Sequence, residues 1–348
     1  MAAYISFQPT DFYKAQVYTG TGAENVQTFP QTTAMQPDFV WIKARSGSKS
    51  HRLFDAVRGV TKWIASDNTG AEGTTAESLK SFDSDGFTLG TYDHVNDNTV
   101  SFASWSWKMG TTTGLSGGTI TPSGYSFNTT AGQSVITWTG TGSAGTIPHG
   151  LGIVPQFIIV KEYSDDLKWA VYNSTLGNTR YLILNTTAAD GDTDNWNDTT
   201  PTSTVFSVGS ASQTNNSGKT YVAYCFGNVK GYSHFARFKG NSNVDGTFVY
   251  TGFRPGYVLI KNVDSAGGSG LHWQAHSNAQ SPHSNANSNM LQPEDAGGTT
   301  TWGTIDLVSN GFKIRTTNYA TNYTNTIIYA AFAEFPIVSS NSKAGTAN

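Results

Sequence analysis

One seven-residue phrase constrains this chain more than any other feature: it is written three times. "PDFVWIK" runs from Pro37 to Lys43, "PQFIIVK" from Pro155 to Lys161, and "PGYVLIK" from Pro255 to Lys261. Each copy has an aromatic partner 17 to 19 residues before its proline, in "VYTGTG" (Tyr18), "TWTGTG" (Trp138) and "RFKGNS" (Phe238). Downstream lie "DGFTL" with Phe87, "TVFSV" with Phe206 and "NGFKI" with Phe312. Twenty residues beyond each phenylalanine an apolar run reaches Trp107, Phe226 or Phe332. Landmarks repeated in one order, with one spacing held constant, mark an internal repeat of about 100 residues.

Within the phrase the period is two. Phe39, Trp41 and Lys43 share one face of an extended strand, and Val40 and Ile42 share the other. Both faces are apolar until the lysine, as in a central strand whose last residue reaches water. "DG" at 85–86 and "NG" at 310–311 are hairpin signals. No segment of useful length has a helical period. Many short strands with Gly-, Asn- and Thr-rich turns predict an all-β chain: three tandem β-sandwich repeats of the jelly-roll or lectin-like kind. The expected organisation is an N-terminal arm over 1–13, repeats over 14–108, 134–227 and 234–333, a linker over 109–133, and a C-terminal tail over 334–348. The arm carries Tyr4, Ile5, Phe7, Phe12 and Tyr13. It is expected to bury itself against a neighbouring subunit, or else to complete the first sandwich as an edge strand.

Composition narrows the function. Charged residues make up 13% of the 348 positions and the net charge is −3, so no basic field exists for nucleic acid. Cys225 stands alone, which excludes an internal disulfide, and its setting in "YVAYCF" predicts a buried small hydrophobe. No apolar run is long enough to insert in a membrane, and the first residues do not read as a signal peptide. The repeated lysines Lys43, Lys161 and Lys261 are expected to snorkel out at strand ends. Asp190, Asp192, Asp194 and Asp198 alternate as calcium ligands do, but the glycine and glutamate of a calcium-binding helix–loop–helix loop are missing. His272 and His276 would share a strand face, yet no carboxylate or cysteine joins them at metal-ligand spacing, so neither metal nor cofactor is expected.

The segment "HWQAHSNAQSPHSNANSN" falls in the longest of the three lysine-to-phenylalanine intervals, 51 residues against 44 and 45. Planar amides and imidazoles suit sugar hydroxyls, which makes His276, Asn278, His283 and Asn285 the candidate glycan contacts. No nucleophile elbow, phosphate loop or metalloprotease motif is present, and Asp55, Glu72 and Glu77 have no counterparts in the other repeats. A repeated scaffold without repeated polar chemistry points to binding and architecture, not to an enzyme.

The phrases "YISFQPTDFYKAQVYTGTG", "QPDFVWIKARS", "HGLGIVPQFIIVK" and "DGTFVYTGFRPGYVLIK" resemble a repeated β-domain of virion proteins from marine tailed bacteriophages, including those of cyanobacteria. The likeness spans nearly the whole chain. It implies a lectin-like fold and a virion structural protein made in the host cytoplasm: a tail fibre or appendage subunit that attaches to the host surface. The alternatives are a capsid-surface decoration protein and a virion polysaccharide depolymerase. The implied partners are other virion proteins, copies of the chain itself and a host surface glycan. The third repeat departs from the family pattern, with "WQAHSNAQ" where W-x-x-x-D-x-x-R is usual, so a role for that Asp/Arg pair is absent there.

Overall fold

A computed structural model describes all residues except 1–4, 32, 189–190, 193, 265–270, 282–284 and 336–348. The chain is all-β, with 42% of residues in strands and 6% in short helices.

The first third supplies β1 (Tyr13–Thr19), β2 (Asn25–Thr28), β3 (Phe39–Ala44) and β4 (Arg52–Asp55). The short pair β5 (Lys62–Trp63) and β6 (Gly73–Thr74) follows, then the hairpin β7 (Leu79–Asp83) and β8 (Gly86–Leu89), then β9 (Ser101–Trp107). The second third runs through β10 (Gly124–Asn128), β11 (Gln133–Thr139), β12 (Gly145–Pro148), β13 (Pro155–Glu162) and β14 (Ala170–Asn173). It ends with β15 (Arg180–Ile183), β16 (Gly191–Asp192), β17 (Val205–Val208) and β18 (Thr220–Gly227). The last third holds β19 (Ser233–Lys239), β20 (Phe248–Tyr250), β21 (Arg254–Asn262) and β22 (Gln274–Ser277). It closes with β23 (Met290–Leu291), β24 (Ile305–Val308), β25 (Gly311–Ile314) and β26 (Thr326–Phe335).

One pairing recurs in three large antiparallel sheets: β1-β9-β3-β4, β11-β18-β13-β14 and β19-β26-β21-β22. The register agrees residue by residue. Phe39 lies opposite Trp107, Phe157 opposite Phe226, and Tyr257 opposite Phe332. Each large sheet is faced by a smaller one built on β8, β17 or β25. In the first third Val40, Ile42 and Phe102 of the large sheet meet Leu79, Phe87 and Leu89 of the small one. Ile136, Ile158 and Phe206 do the same in the second third, and Val258, Ile260 and Phe312 in the last.

The other faces of the three large sheets do not meet water. They share one core, to which Phe39, Trp41, Phe157, Ile159, Tyr257 and Leu259 all belong. This explains why the heptapeptide is apolar on both sides: one side fills its own sandwich and the other fills the common centre. Only about 20 Å³ is left open among those rings. Each buried aromatic there contributes ~2–3 kcal/mol by area.

Four expectations need correction. The lysines do not snorkel: Lys43, Lys161 and Lys261 are completely buried. Each Nζ donates to carbonyls across a boundary between thirds. Lys43 reaches Ala296 O (2.9 Å), Lys161 reaches Thr69 O (2.9 Å), and Lys261 reaches Thr187 O (3.1 Å). The first third thus grips the last, the second grips the first, and the last grips the second. Burial pushes all three ammonium groups down to about 8. Nearby carboxylates work against that shift: Asp67 and Asp295 at Lys43, Glu162 at Lys161, and Glu294 at Lys261.

Second, the linker over 109–133 is not merely a connection. It contains β10, which adds itself to the edge strand β11, and Ile120 N donates to Thr146 O of β12 (2.9 Å). Third, the described part of the N-terminal arm packs within the chain and forms no separate edge strand. Ile5, Phe7 and Phe12 pack on the common core, and the rings of Phe7 and Phe12 lie 5.5 and 6.4 Å from that of Tyr232. Tyr4 lies outside the described residues. The tail expected from 334 starts later, since β26 runs to Phe335. Fourth, both predicted hairpins form, but the glycines serve the neighbouring strand. A Cβ on Gly86 would stand 1.9 Å from Gln27 O, and one on Gly311 2.0 Å from Val249 O.

Candidate functional site

Polar groups do recur, contrary to the sequence reading. The lysine joint has a companion in the residue immediately before the strand beside it, at His51, Trp169 and Trp273. Trp169 Nε1 donates to Ala65 O and Trp273 Nε1 to Ile183 O, both at 3.0 Å. His51 Nε2 lies 2.9 Å from Gln292 O, while its Nδ1 accepts from Trp41 Nε1 at 2.7 Å. Those partners fix the neutral tautomer with the proton on Nε2. Burial depresses the pKa of this ring, and the nearby Lys43 charge adds to the effect.

A second recurrence is an asparagine at the end of three one-turn helices, α1 (Asp93–Asn96), α2 (Ser212–Asn215) and α3 (Tyr319–Asn322). Asn96 Oδ1 accepts from Thr21 N, Asn215 Oδ1 from Thr141 N, and Asn322 Oδ1 from Asn241 N. Each Nδ2 donates to two carbonyls, those of Ala23 and Gly90, Ser143 and Gly209, or Asn243 and Thr316. All three are architectural.

What sets the thirds apart is the open side of each sandwich. In the second third that side is filled. Strand β10 lies along β11, and across the boundary Ser126 Oγ donates to Asp38 Oδ1 (3.1 Å) while Asn128 Nδ2 donates to Met109 O (2.9 Å). By register, β1 and β19 correspond to β11, yet among the described residues both are the outermost strands of their sheets. Beside β1 lies an open slot of about 680 Å³, lined by Gln16, Val17, Gln27, Gln31, Arg254 and Glu334 among others. A recess of about 90 Å³ extends it to Tyr13, Lys14 and Gly256. Beside β19 a slot of about 390 Å³ is lined by Asn228, His234 and Tyr250.

The slot beside β1 has the more distinctive chemistry. Gln16 and Gln27 stand where the second third has Ile136 and Ile147 and the last has Ala236 and Val249. The amides form a chain: Gln16 Nε2 donates to Gln27 Oε1 (3.4 Å) and Gln27 Nε2 to Asn25 Oδ1 (2.6 Å). Four buried polar atoms around this slot find no hydrogen-bond partner among the described residues: Tyr13 Oη, Gln31 Oε1, Arg254 Nε and Glu334 Oε2. The last two lie 3.3 Å apart, close enough for an ion pair but out of line for a hydrogen bond. Buried unpartnered groups are costly, so the polar lining of this slot is incompletely satisfied by the described residues. In the filled slot the counterpart of Tyr13 is Gln133, whose amide is satisfied by Phe12 O, Lys108 O and Tyr232 Oη.

The four candidate glycan contacts are not brought together. His276 is completely buried on β22, where burial drives its pKa down to about 3, so it touches no ligand. Its strand faces the small sheet of its own sandwich, which the sequence pattern could not distinguish from an exposed loop. Asn278 alone lines the slot beside β1. Asn285 is exposed and accepts from Leu307 N, and His283 lies outside the described residues. His272 pairs with Glu294 at 2.8 Å. Of the proposed calcium loop, Asp190 lies outside the described residues and Asp194 is engaged by Ser210 N and Oγ. Among the described residues no metal-ligating cluster forms. Cys225 is buried as expected, its thiol pushed up to about 12 by burial. Sequence reading passed over Gln16, Gln27, Arg254 and Glu334. The available signal was two glutamines at repeat positions that are otherwise aliphatic.

A search among curated proteins finds no match. Residues 8–336 match the profile of a domain of unknown function, DUF7483, and the chain belongs to that family.

Proposed function

We propose that this member of DUF7483 is a structural subunit of a bacteriophage particle, a tail-fibre or appendage component that meets the host surface and acts by binding, not by catalysis. The likeness of its repeated phrases to virion β-domains carries the reading. Its geometry is consistent with that role: three sandwiches closed on one aromatic core make a stiff body, and open strand edges give it places to be joined. Its partners in this reading are other virion proteins. A host glycan contact would have to be built without His276.

The test is location. Antibody raised against the purified chain is applied to purified particles of the phage that carries its gene, and the label is imaged by electron microscopy. Label on tail appendages is the expected outcome. Label on the capsid shell would make the chain a decoration protein, and absence from washed particles would overturn the proposal.

A further inference from the structure

We infer that the slot beside β1 accepts an extended, uncharged, Ser/Thr/Gly-rich strand of another polypeptide, which adds to β1 as β10 adds to β11. The molecule holds one example of this complex within itself. Strand β10 is an extended segment, "GYSFN", seated between the edge of one sheet and the end of the preceding third. The slot beside β1 repeats both walls. Its edge strand β1 matches β11, and across from it Gly256 and Glu334 of the last third stand where Asp38 and Met109 stand in the filled slot.

The backbone on that edge points the right way. Ser123 N donates to Thr137 O, so the polar groups of Thr137 face away from its own sheet. In the last third Phe235 N donates to the side chain of Asn228, which shows the same direction two residues earlier in the register. Thr137 corresponds to Val17 and Phe235 to Ala15. With the alternation of an antiparallel strand, Ala15, Val17 and Thr19 therefore direct their N–H and C=O groups into the slot. A docked strand would meet those groups by main-chain hydrogen bonds, the usual currency of strand addition.

The lining decides the chemistry of the occupant. Arg254 and Glu334 at the slot face each other, and Lys14 in its recess is paired with Asp85, so a charged strand would have to break an existing pair to gain a new one. Gln16, Gln27, Gln31 and Asn278 offer amides that both donate and accept, and Tyr13 Oη needs a partner. Hydroxyl side chains and peptide groups satisfy such a lining. A sugar would satisfy the amides but not the row of main-chain groups along β1.

The inference rests on the slot and not on the particle, so it can fail or hold independently of the proposed function. The probe is an acetylated, amidated peptide of Ser123–Thr130, titrated into the full chain by calorimetry, with backbone hydrogen exchange as a locator. Saturable binding with new protection at residues 15–19 is expected. Val17→Pro removes an outward N–H and should weaken binding about tenfold or more, whereas Val17→Thr should leave it within about twofold. Near-ultraviolet circular dichroism establishes that the proline variant is folded. A second arm keeps the proposal exposed if it is not: the same peptide N-methylated at alternate residues should lose binding to the unaltered chain. No saturation up to about 1 mM overturns the inference, as does protection confined to residues 233–239 or equal binding by the methylated peptide. Binding of a neutral oligosaccharide that displaces the peptide would replace the polypeptide with a glycan. A concentration-dependent dimer lost in Val17→Pro would make a second copy the occupant.

Discussion

A lysine at a strand end reads in sequence as a residue on its way to water. Lys161 shows what that reading omits. Its Nζ bonds the carbonyls of Thr69, Glu162, Asp165 and Leu167, three of them in its own third and one across the boundary. Nothing in residue type announces a carbonyl acceptor, because every residue carries one. The cross-boundary partners of Lys161 and Lys43 lie 92 and 253 positions away in sequence, beyond the reach of any local pattern. Replacing Lys161 with Ala would leave those carbonyls buried without a donor. We expect a loss of about 2–5 kcal/mol in urea unfolding. A snorkelled lysine would cost under about 1 kcal/mol, so the two readings are well separated by one measurement.

At the scale of elements, strands were legible and joints were not. Period-two alternation located β3, β13 and β21, and the constant spacing fixed the register of the strands beside them. The helix-end asparagine was legible in principle, since Asn96 and Asn215 follow the conserved-spacing phenylalanines Phe87 and Phe206 by nine residues and Asn322 follows Phe312 by ten. Its neighbours differ so much between copies that the residue reads as loop filler. Gly20, Gly140 and Gly240 belong to the same joint: a Cβ on any of them would fall 2.0 to 2.2 Å from a backbone oxygen just past that asparagine. Asn215→Ala removes donors and acceptors that serve Thr141, Ser143 and Gly209. It should cost about 2–4 kcal/mol by thermal or urea unfolding. If Asn96→Ala and Asn322→Ala fell far below that range while Asn215→Ala reached it, the three joints would not be equivalent. The slot beside β1 was half legible. Its glutamines stand out once the copies are aligned, but Arg254 and Glu334 join it only through packing between the first and last thirds.

On the scale of the whole molecule, the shared core changes what a repeat means. Each large sheet buries one face in its own sandwich and the other against its two fellows, so no third owns a complete core. A fragment of residues 14–108 would expose Phe39, Trp41, Trp105 and Trp107 to water. We expect that fragment to aggregate or to lack near-ultraviolet circular dichroism. We expect the intact chain to unfold in one transition by fluorescence and circular dichroism alike. Two resolved transitions, or a folded monomeric fragment, would show that the thirds are independent domains after all. Sequence reading foresaw an all-β chain because its strands are written in local alternation. It could not foresee their closure, because an apolar face looks the same whether it meets a helix, a sheet or a symmetry-related copy of itself.

The cyclic grip also sets a timetable. Ribosomes deliver the first third first, yet Lys43 needs Ala296 and His51 needs Gln292. At about 5–20 residues per second, the 253 positions between Lys43 and its acceptor take roughly 10–50 s to appear. Until then the aromatic sheet face of the first third can meet only the second third, through contacts such as Phe39 on Tyr224, and the ring stays open on the side that was made earliest. The molecule has a beginning only because translation gives it one.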